Sequence, residues 1–435
     1  MFKITRNLFI LLLFCSCSDK SIIISEDRYK VFQEIEKIKI DQNAKSEPII
    51  LGSEISNSFF SHPGYNSSHS GGHLEGPKNK PQKLWSKDIG KGINKKFPIM
   101  TNLIGHSQLI FAMDTQGKLS ALEQSNGNLI WEKNLGNREN SYSASAGGIA
   151  LDNNAIYAHL GSFDIFTLDL STGDQIWKKT LEYPVVSGPV ISAKGILYTL
   201  VDGTTIYLNK LNGNIIWQIE GNNKSNDIIG SGLISINDSV AVIPGFNGDI
   251  TVLNLDDGSF LLEDNLAFFS PKTAIEQISS IKANPSIYEN NFYAVAQNGR
   301  LVSYNLSKGV LNWEHEISAS QMMWIAGDSL FVISENGNLI CIRREDGSIR
   351  WITKLPHKIE ENLVRFQKFI VHYGPIVASE KIYLVSSDKK LRIYNSKNGE
   401  LIDTIKFSNG FSTPPIIINS KIFLINNNAK LYAFE

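Results

Sequence analysis

The sequence predicts an all-β chain folded as an eight-bladed β-propeller, and three recurring features carry that expectation. The first is a glycine followed four residues later by tryptophan: Gly127 and Trp131, Gly173 and Trp177, Gly213 and Trp217, Gly309 and Trp313, Gly347 and Trp351. Two further copies keep the glycine and change the last residue, Gly258 to Leu262 and Gly399 to Asp403, so that successive glycines stand 38 to 52 residues apart. The second is an apolar residue five positions before each glycine: Leu122, Leu168, Leu208, Leu253, Tyr304, Ile342 and Tyr394. The third is an upstream strand pair, seen for example at Ala155–Leu160 and Lys381–Ser386.

Each element follows from local chemistry. The residues just before the glycines are polar turn formers such as Gln-Ser-Asn, Leu-Asp-Asp and Ser-Lys-Asn, and glycine completes a tight turn between two strands. With the upstream pair, one unit holds about four short antiparallel strands, the size of a propeller blade. Apolar residues occur on both strand faces, where a sheet with one wet face would alternate cleanly. Blades stacked face to face around an axis satisfy that pattern, and a tryptophan after each turn is large and flat enough to fill the gap between neighbours. Leu262 and Asp403 then mark blades whose packing must be made differently.

The strand pair occurs eight times, beginning near Asn102, Gly148, Pro189, Leu233, Ser286, Trp324, Pro375 and Pro415, whereas the glycine turn occurs seven times. The eighth copy ends at Glu435 and lacks a last strand with its tryptophan. The stretch Lys83–Ile89, which contains Trp85, supplies one. The expected ring is therefore closed by pairing this N-terminal strand with the last blade, which removes two exposed sheet edges.

The front of the chain reads differently. Residues 1–16 look like a signal peptide: Lys3 and Arg6, then a short apolar core from Leu8 to Phe14, too short to span a bilayer. Cys17, preceded by the small Ser16, is the expected lipid acceptor, and Ser18 after it favours the outer membrane over the inner one. Residues 17–82 are expected to be a lipid-anchored tether with a short amphipathic helix over Tyr29–Ile40, where Val31, Phe32, Ile35 and Ile38 have helical spacing. Residues 57–82 are rich in Ser, Gly, His, Asn and Pro and read as irregular. The propeller fills 83–435 as one domain.

Composition narrows the function classes. Apolar residues make up 42% of the 435 residues, enough for a large core, and the formal net charge of −1 gives no general attraction to nucleic acid. Past Cys17, Cys341 is the one remaining cysteine, placed in a repeat strand and read as a buried apolar residue. His62, His69 and His73 form the only close histidine group and are the candidate zinc ligands, though their spacing matches no common site. No Ser/His/Asp set, phosphate loop or pair of catalytic acids stands out.

The repeat resembles that of the quinoprotein dehydrogenases, eight-bladed enzymes that hold pyrroloquinoline quinone and calcium. Many of those carry adjacent cysteines, absent from this mature region, and this chain is short for them. It is more similar to the BamB family, lipoproteins of the outer-membrane β-barrel assembly (BAM) machine. That resemblance takes in the lipoprotein-like start, the strand around Trp85, Ala146–Ala150, Gly245–Asp249, Ala274–Pro285 and Tyr293–Leu301. The stretch Ser61–His73 resembles a pre-propeller segment of alphaproteobacterial members, which is a reason to expect no metal there.

The BamB resemblance implies a scaffold with no catalytic step and no cofactor. Its partners would be the periplasmic (POTRA) domains of BamA and other BAM complex subunits, with the outer membrane reached through the lipid. Family contacts come from two interblade loops, which match Asp227, Ile228, Ile229 and Gly230, and Ser279–Ala283. This chain departs at both: the first loop has isoleucines and no arginine, and Ser280 and Lys282 stand where the family has aspartates. A periplasmic quinoprotein oxidoreductase, or a propeller that binds another protein or a glycan, remain the alternatives, because one fold serves many functions.

Overall fold

Hairpin after hairpin, the strands assemble into eight four-stranded antiparallel blades; blades 1 to 7 take their four strands in chain order, and the short strand Phe59–Phe60 adds a fifth to the sheet of blade 1. The computed structural model describes residues 38–136, 147–221, 232–268, 279–359 and 368–435. Blade 1 is built from Ile104–His106, Leu109–Met113, Lys118–Glu123 and Leu129–Asn134, and blades 2 to 7 repeat the plan, with innermost strands at Gly148–Leu151, Val185–Ile191, Ser235–Ile236, Ser286–Tyr288, Trp324–Ala326 and His372–Ala378. Blade 8 takes Ile416–Ile418, Lys421–Ile425 and Lys430–Phe434 from the C-terminus and Lys83–Asp88 from the front of the chain. Lys83 lies opposite Phe434, and Gln82 and Glu435 exchange two main-chain hydrogen bonds, so the ring closes as the strand count requires.

Burial explains the two-sided apolar pattern. The three inner strands of a blade are dry on both faces, as in Ala155–His159 and Gly195–Leu200, while the outermost strands alternate, as in Leu129–Asn134. The inner faces pack blade against blade: one apolar cluster joins Ile104, Phe111 and Leu119 of blade 1 to Ile149, Ile156 and Leu168 of blade 2.

The glycine–tryptophan step links neighbouring blades rather than closing one. Each tryptophan ring lies against the turn glycine of the next blade: Trp85 on Gly127, Trp131 on Gly173, Trp177 on Gly213, Trp217 on Gly258, Trp313 on Gly347 and Trp351 on Gly399. Each indole N–H donates to the carbonyl three residues before that glycine, on Gln124, Leu170, Lys210, Leu255, Arg344 and Ser396, at 2.9 to 3.2 Å. The side chain thus fills apolar space and satisfies its one donor in the same position. At the blade 4–5 junction Leu262 takes the ring's place over Gly309 and has no donor to offer.

Residues 1–37 lie outside the described residues, and with them Cys17 and most of the helix expected over Tyr29–Ile40; residues 38–40 have no regular structure. A single helical turn, α1 (Gln42–Ser46), follows instead, and the Asp41 carboxylate caps it by accepting the Asn43 and Ala44 amides at 2.8 and 2.9 Å. Beyond it, residues 47–82 hold little regular structure, as their composition suggests, but they are packed on the propeller: Leu51, Phe60 and Leu74 are buried in the largest apolar cluster.

Candidate functional site

Strand direction sorts the loops into two mouths. Each interblade loop enters an innermost strand at its start, and the first hairpin turn of the blade leaves that strand at its end. The described ends of the interblade loops therefore lie at one mouth of the ring, and the first-hairpin turns surround the other.

Asp227, Ile228, Ile229 and Gly230 lie outside the described residues. The second expected contact loop is well anchored. The Ile281 amide donates to Gly245, the Gly232 amide to Ile281, the Gln297 amide to Ser280, and the Ser279 hydroxyl to Asn298. Ser280 is consequently only 6% exposed, and Ile281 and Ala283 are buried, so Lys282 is the group of this loop that reaches the surface. Lys282 is half-buried. Burial lowers its ammonium pKa, and the Glu335 carboxylate of blade 6 opposes that shift.

Glu335 also lines a cavity of about 330 Å³ between the loops entering blades 6 and 7. Its wall includes Ser320, His357, Phe369, Val371 and His372. Phe369 and Val371 are large apolar side chains left exposed there, on and just after the small hairpin that pairs Lys358 with Phe369. Glu335 thus both faces the Lys282 ammonium and lines this cavity, whose wall mixes polar groups with the exposed Phe369 and Val371.

The opposite mouth is occupied by the chain itself. Residues 57–74 run around it and touch the innermost strand of every blade in turn. Asn57 donates its side-chain amide to Ile417 of blade 8 at 2.8 Å, and Phe59–Phe60 pairs with Gly105 and His106 of blade 1. Amides of Leu151 in blade 2, Ile236 in blade 4 and Ile287 in blade 5 donate to the carbonyls of Ser61, Ser67 and Ser68. The Ile191 amide of blade 3 donates to His62 Nε2 at 3.0 Å. Gly72 bonds Ile325 of blade 6, and Leu74 bonds Val377 and Ser379 around blade 7.

The three histidines are fastenings of this strap. His62 accepts from Ile191 through Nε2 and faces Ser61 Oγ through Nδ1 at 2.7 Å. His69 lies between the carbonyls of Pro63 and Ile234, at 2.7 and 3.0 Å. His73 accepts the Glu380 amide at 2.9 Å and faces the Gly52 carbonyl at 3.0 Å. Burial, joined by repulsion from His69, lowers His62 to about 3; burial lowers His69 to about 4 against the pull of its two carbonyls. Each of the six ring nitrogens faces a protein group: the neutral His69 ring donates to one of its two carbonyls and turns its lone pair to the other, so none of the three rings presents a nitrogen to a shared centre. Trp324, the one tryptophan outside the repeat, is wholly buried under the strap and donates its indole N–H to Gly72 at 2.7 Å. Its departure from the repeat was the available sequence signal for this contact.

Among the described residues no group of three or more His, Cys, Asp or Glu side chains is placed to hold a metal ion. Cys341 is buried, and burial pushes its thiol up to about 12.

An eight-bladed ring joined by tryptophan-on-glycine contacts defines a propeller of the quinoprotein-repeat class. Similar solved structures share that fold. BamB from Moraxella catarrhalis has a TM-score of 0.67 at 16% identity, with 82% of this chain and all of the other covered. Quinohemoprotein alcohol dehydrogenase from Comamonas testosteroni has a TM-score of 0.68 at 9% identity, with 87% of this chain and 80% of the other covered. The family model described as outer membrane protein assembly factor BamB matches residues 115–353, and this chain belongs to the BamB family. Among its relatives, the BamB proteins of Yersinia pestis and Moranella endobia are 21% and 23% identical over 361 and 366 residues. These alignments cover 81% and 82% of this chain and 88% and 90% of the relatives.

Proposed function

We propose that this chain is a non-enzymatic scaffold subunit of the outer-membrane β-barrel assembly complex. It is held to the periplasmic face of the outer membrane through Cys17 and binds the periplasmic POTRA domains of BamA and other subunits of the complex. The match of the repeat region to the BamB family carries this reading. Its contact surface is the interblade mouth: the loop with Asp227, Ile228, Ile229 and Gly230, together with Lys282 on the rigid segment that Ser280 helps to anchor. The opposite mouth is filled by the chain's own strap, so a partner that docks axially has the interblade mouth available to it.

The test is capture of BamA from the protein's own organism, combined with depletion. Depletion should lower the level of outer-membrane barrels. The double substitution Ile228→Asp with Ile229→Asp should reduce BamA capture while the β-rich circular dichroism spectrum is kept. Failure to capture BamA together with unchanged barrel levels would reject the assignment.

A further inference from the structure

We propose that the mouth at which the innermost strands end is a peptide-binding site, and that its resident ligand is the chain's own segment 57–74, which grips the ring through non-covalent contacts sufficient to hold it in place.

The contacts have the character of ligand recognition. Every blade contributes at least one bond from its innermost strand, and most are to backbone groups of the segment rather than to exposed side chains. The specific fastenings are buried: the His62, His69 and His73 rings, and Gly71, where a Cβ would run into the Trp324 indole. These residues fit a preformed surface closely, as a peptide fits a groove.

The segment also spans the weak points of the ring. A propeller opens by parting two neighbouring blades. The strap joins blade 8 to blade 1 through Asn57 and Phe59–Phe60, then crosses each junction up to blade 7. The remaining junction, between blades 7 and 8, is crossed by the chain on its way to the closing strand. There Lys381 Nζ donates to the Pro77 carbonyl at 3.0 Å, and Lys80 pairs with Asp403 at 3.0 Å. The connection from strap to closing strand passes through Lys78, Asn79 and Lys80, which are exposed. A cut there leaves the contacts of the strap intact.

The experiment uses the full chain with a protease site inserted between Lys78 and Asn79. After cleavage of the native protein, the N-terminal fragment should co-elute with the propeller in gel filtration, with the β-sheet signal preserved. Adding His62→Ala and His69→Ala to the cleaved protein should speed release of the fragment on the order of tenfold. Release of the fragment from an intact ring, unfolding of the ring on cleavage, or retention indifferent to the histidine changes would each overturn the proposal. Hydrogen exchange on the uncut wild-type chain gives a second reading. Amides of Ile191, Ile236 and Ile287 should exchange as slowly as those of the middle strands, and fast exchange at all three would also overturn it.

Discussion

Asp403 of blade 7 holds Lys80 at 3.0 Å, at the one blade junction that has no glycine turn to receive a tryptophan. In the other blades the residue four after the turn glycine points at the next blade's turn. Blade 8 has no such turn, because its third and fourth strands come from opposite ends of the chain. A tryptophan at 403 would meet neither a glycine nor the carbonyl three residues before it. Asp403 instead ties down the chain that leads into the closing strand. Lys80 is mostly exposed, so the pair adds at most about 1 kcal/mol. Asp403→Trp should therefore bring no gain in thermal stability. Leu262→Trp, which does face a turn glycine, should raise the unfolding midpoint, and equal effects from the two would refute this account of the lapses.

Gly173 and Gly309 separate two costs that the repeat normally combines. Both are in the left-handed region, at φ of +74° and +64°. A side chain at either incurs a backbone cost of about 1 kcal/mol. At Gly173 an added Cβ would also come within 2.6 Å of the Trp131 ring, whereas at Gly309 the nearest atom is Leu262 Cδ1 at 3.8 Å. Gly173→Ala should accordingly destabilise by about 1–3 kcal/mol more than Gly309→Ala, the range for overpacking. Chemical denaturation of the two variants checks the difference.

The repeat made the ring legible because its physics is local: a turn, a glycine and a ring at fixed spacing. The blade count and the closing strand followed from arithmetic on those copies. The direction of the contact was not legible, since Trp131 and Gly127 are neighbours in sequence while the partner of Trp131 is Gly173 of the next blade. The strap was hidden for a related reason. Its Ser, His, Asn and Gly residues have the composition of a loose linker, and only the folded ring shows the blade amides they bond. Ser280 illustrates the same limit: it is buried in a loop tied down by Gln297, which bonds its carbonyl, and by Gly245 and Gly232, which bond the neighbouring Ile281, all distant in sequence.

Acid should loosen the molecule before its carboxylates titrate. His62 and His69 have folded values of about 3 and about 4 against an ordinary 6.5, and burial lowers His372 as well. As pH falls below 6.5, the unfolded chain takes up protons that the folded chain refuses, so stability declines from about pH 6.5 towards pH 4. The slope is at most about 1.4 kcal/mol per pH unit for each histidine. The lowered carboxylates Asp328 and Asp388 contribute only near and below their ordinary 3.8. Urea unfolding between pH 7 and pH 4.5 should show the decline, and replacing His62 and His69 by glutamine should flatten it. A wild-type stability constant over that range would contradict the neutral, buried state of these rings.

Gly71 offers the most local probe of the strap. Its Cα faces the Trp324 indole so closely that an alanine methyl would overlap the ring, and Trp324 has no exposed surface into which it can retreat. Gly71→Ala must shift the strap or the innermost strand of blade 6, where the Gly72 amide bonds Ile325 and the indole bonds the Gly72 carbonyl. The expected cost is about 1–3 kcal/mol. Gly52→Ala is the control just ahead of the strap, where the Gly52 carbonyl faces His73: nothing lies within 4 Å of its Cβ position, although its φ of +78° carries the left-handed cost. If packing on Trp324 fastens the strap, Gly71→Ala should lower the thermal midpoint more than Gly52→Ala and speed proteolysis at Lys78 and Lys80. It should also change the Trp324 contribution to near-ultraviolet circular dichroism, which Gly52→Ala should leave alone.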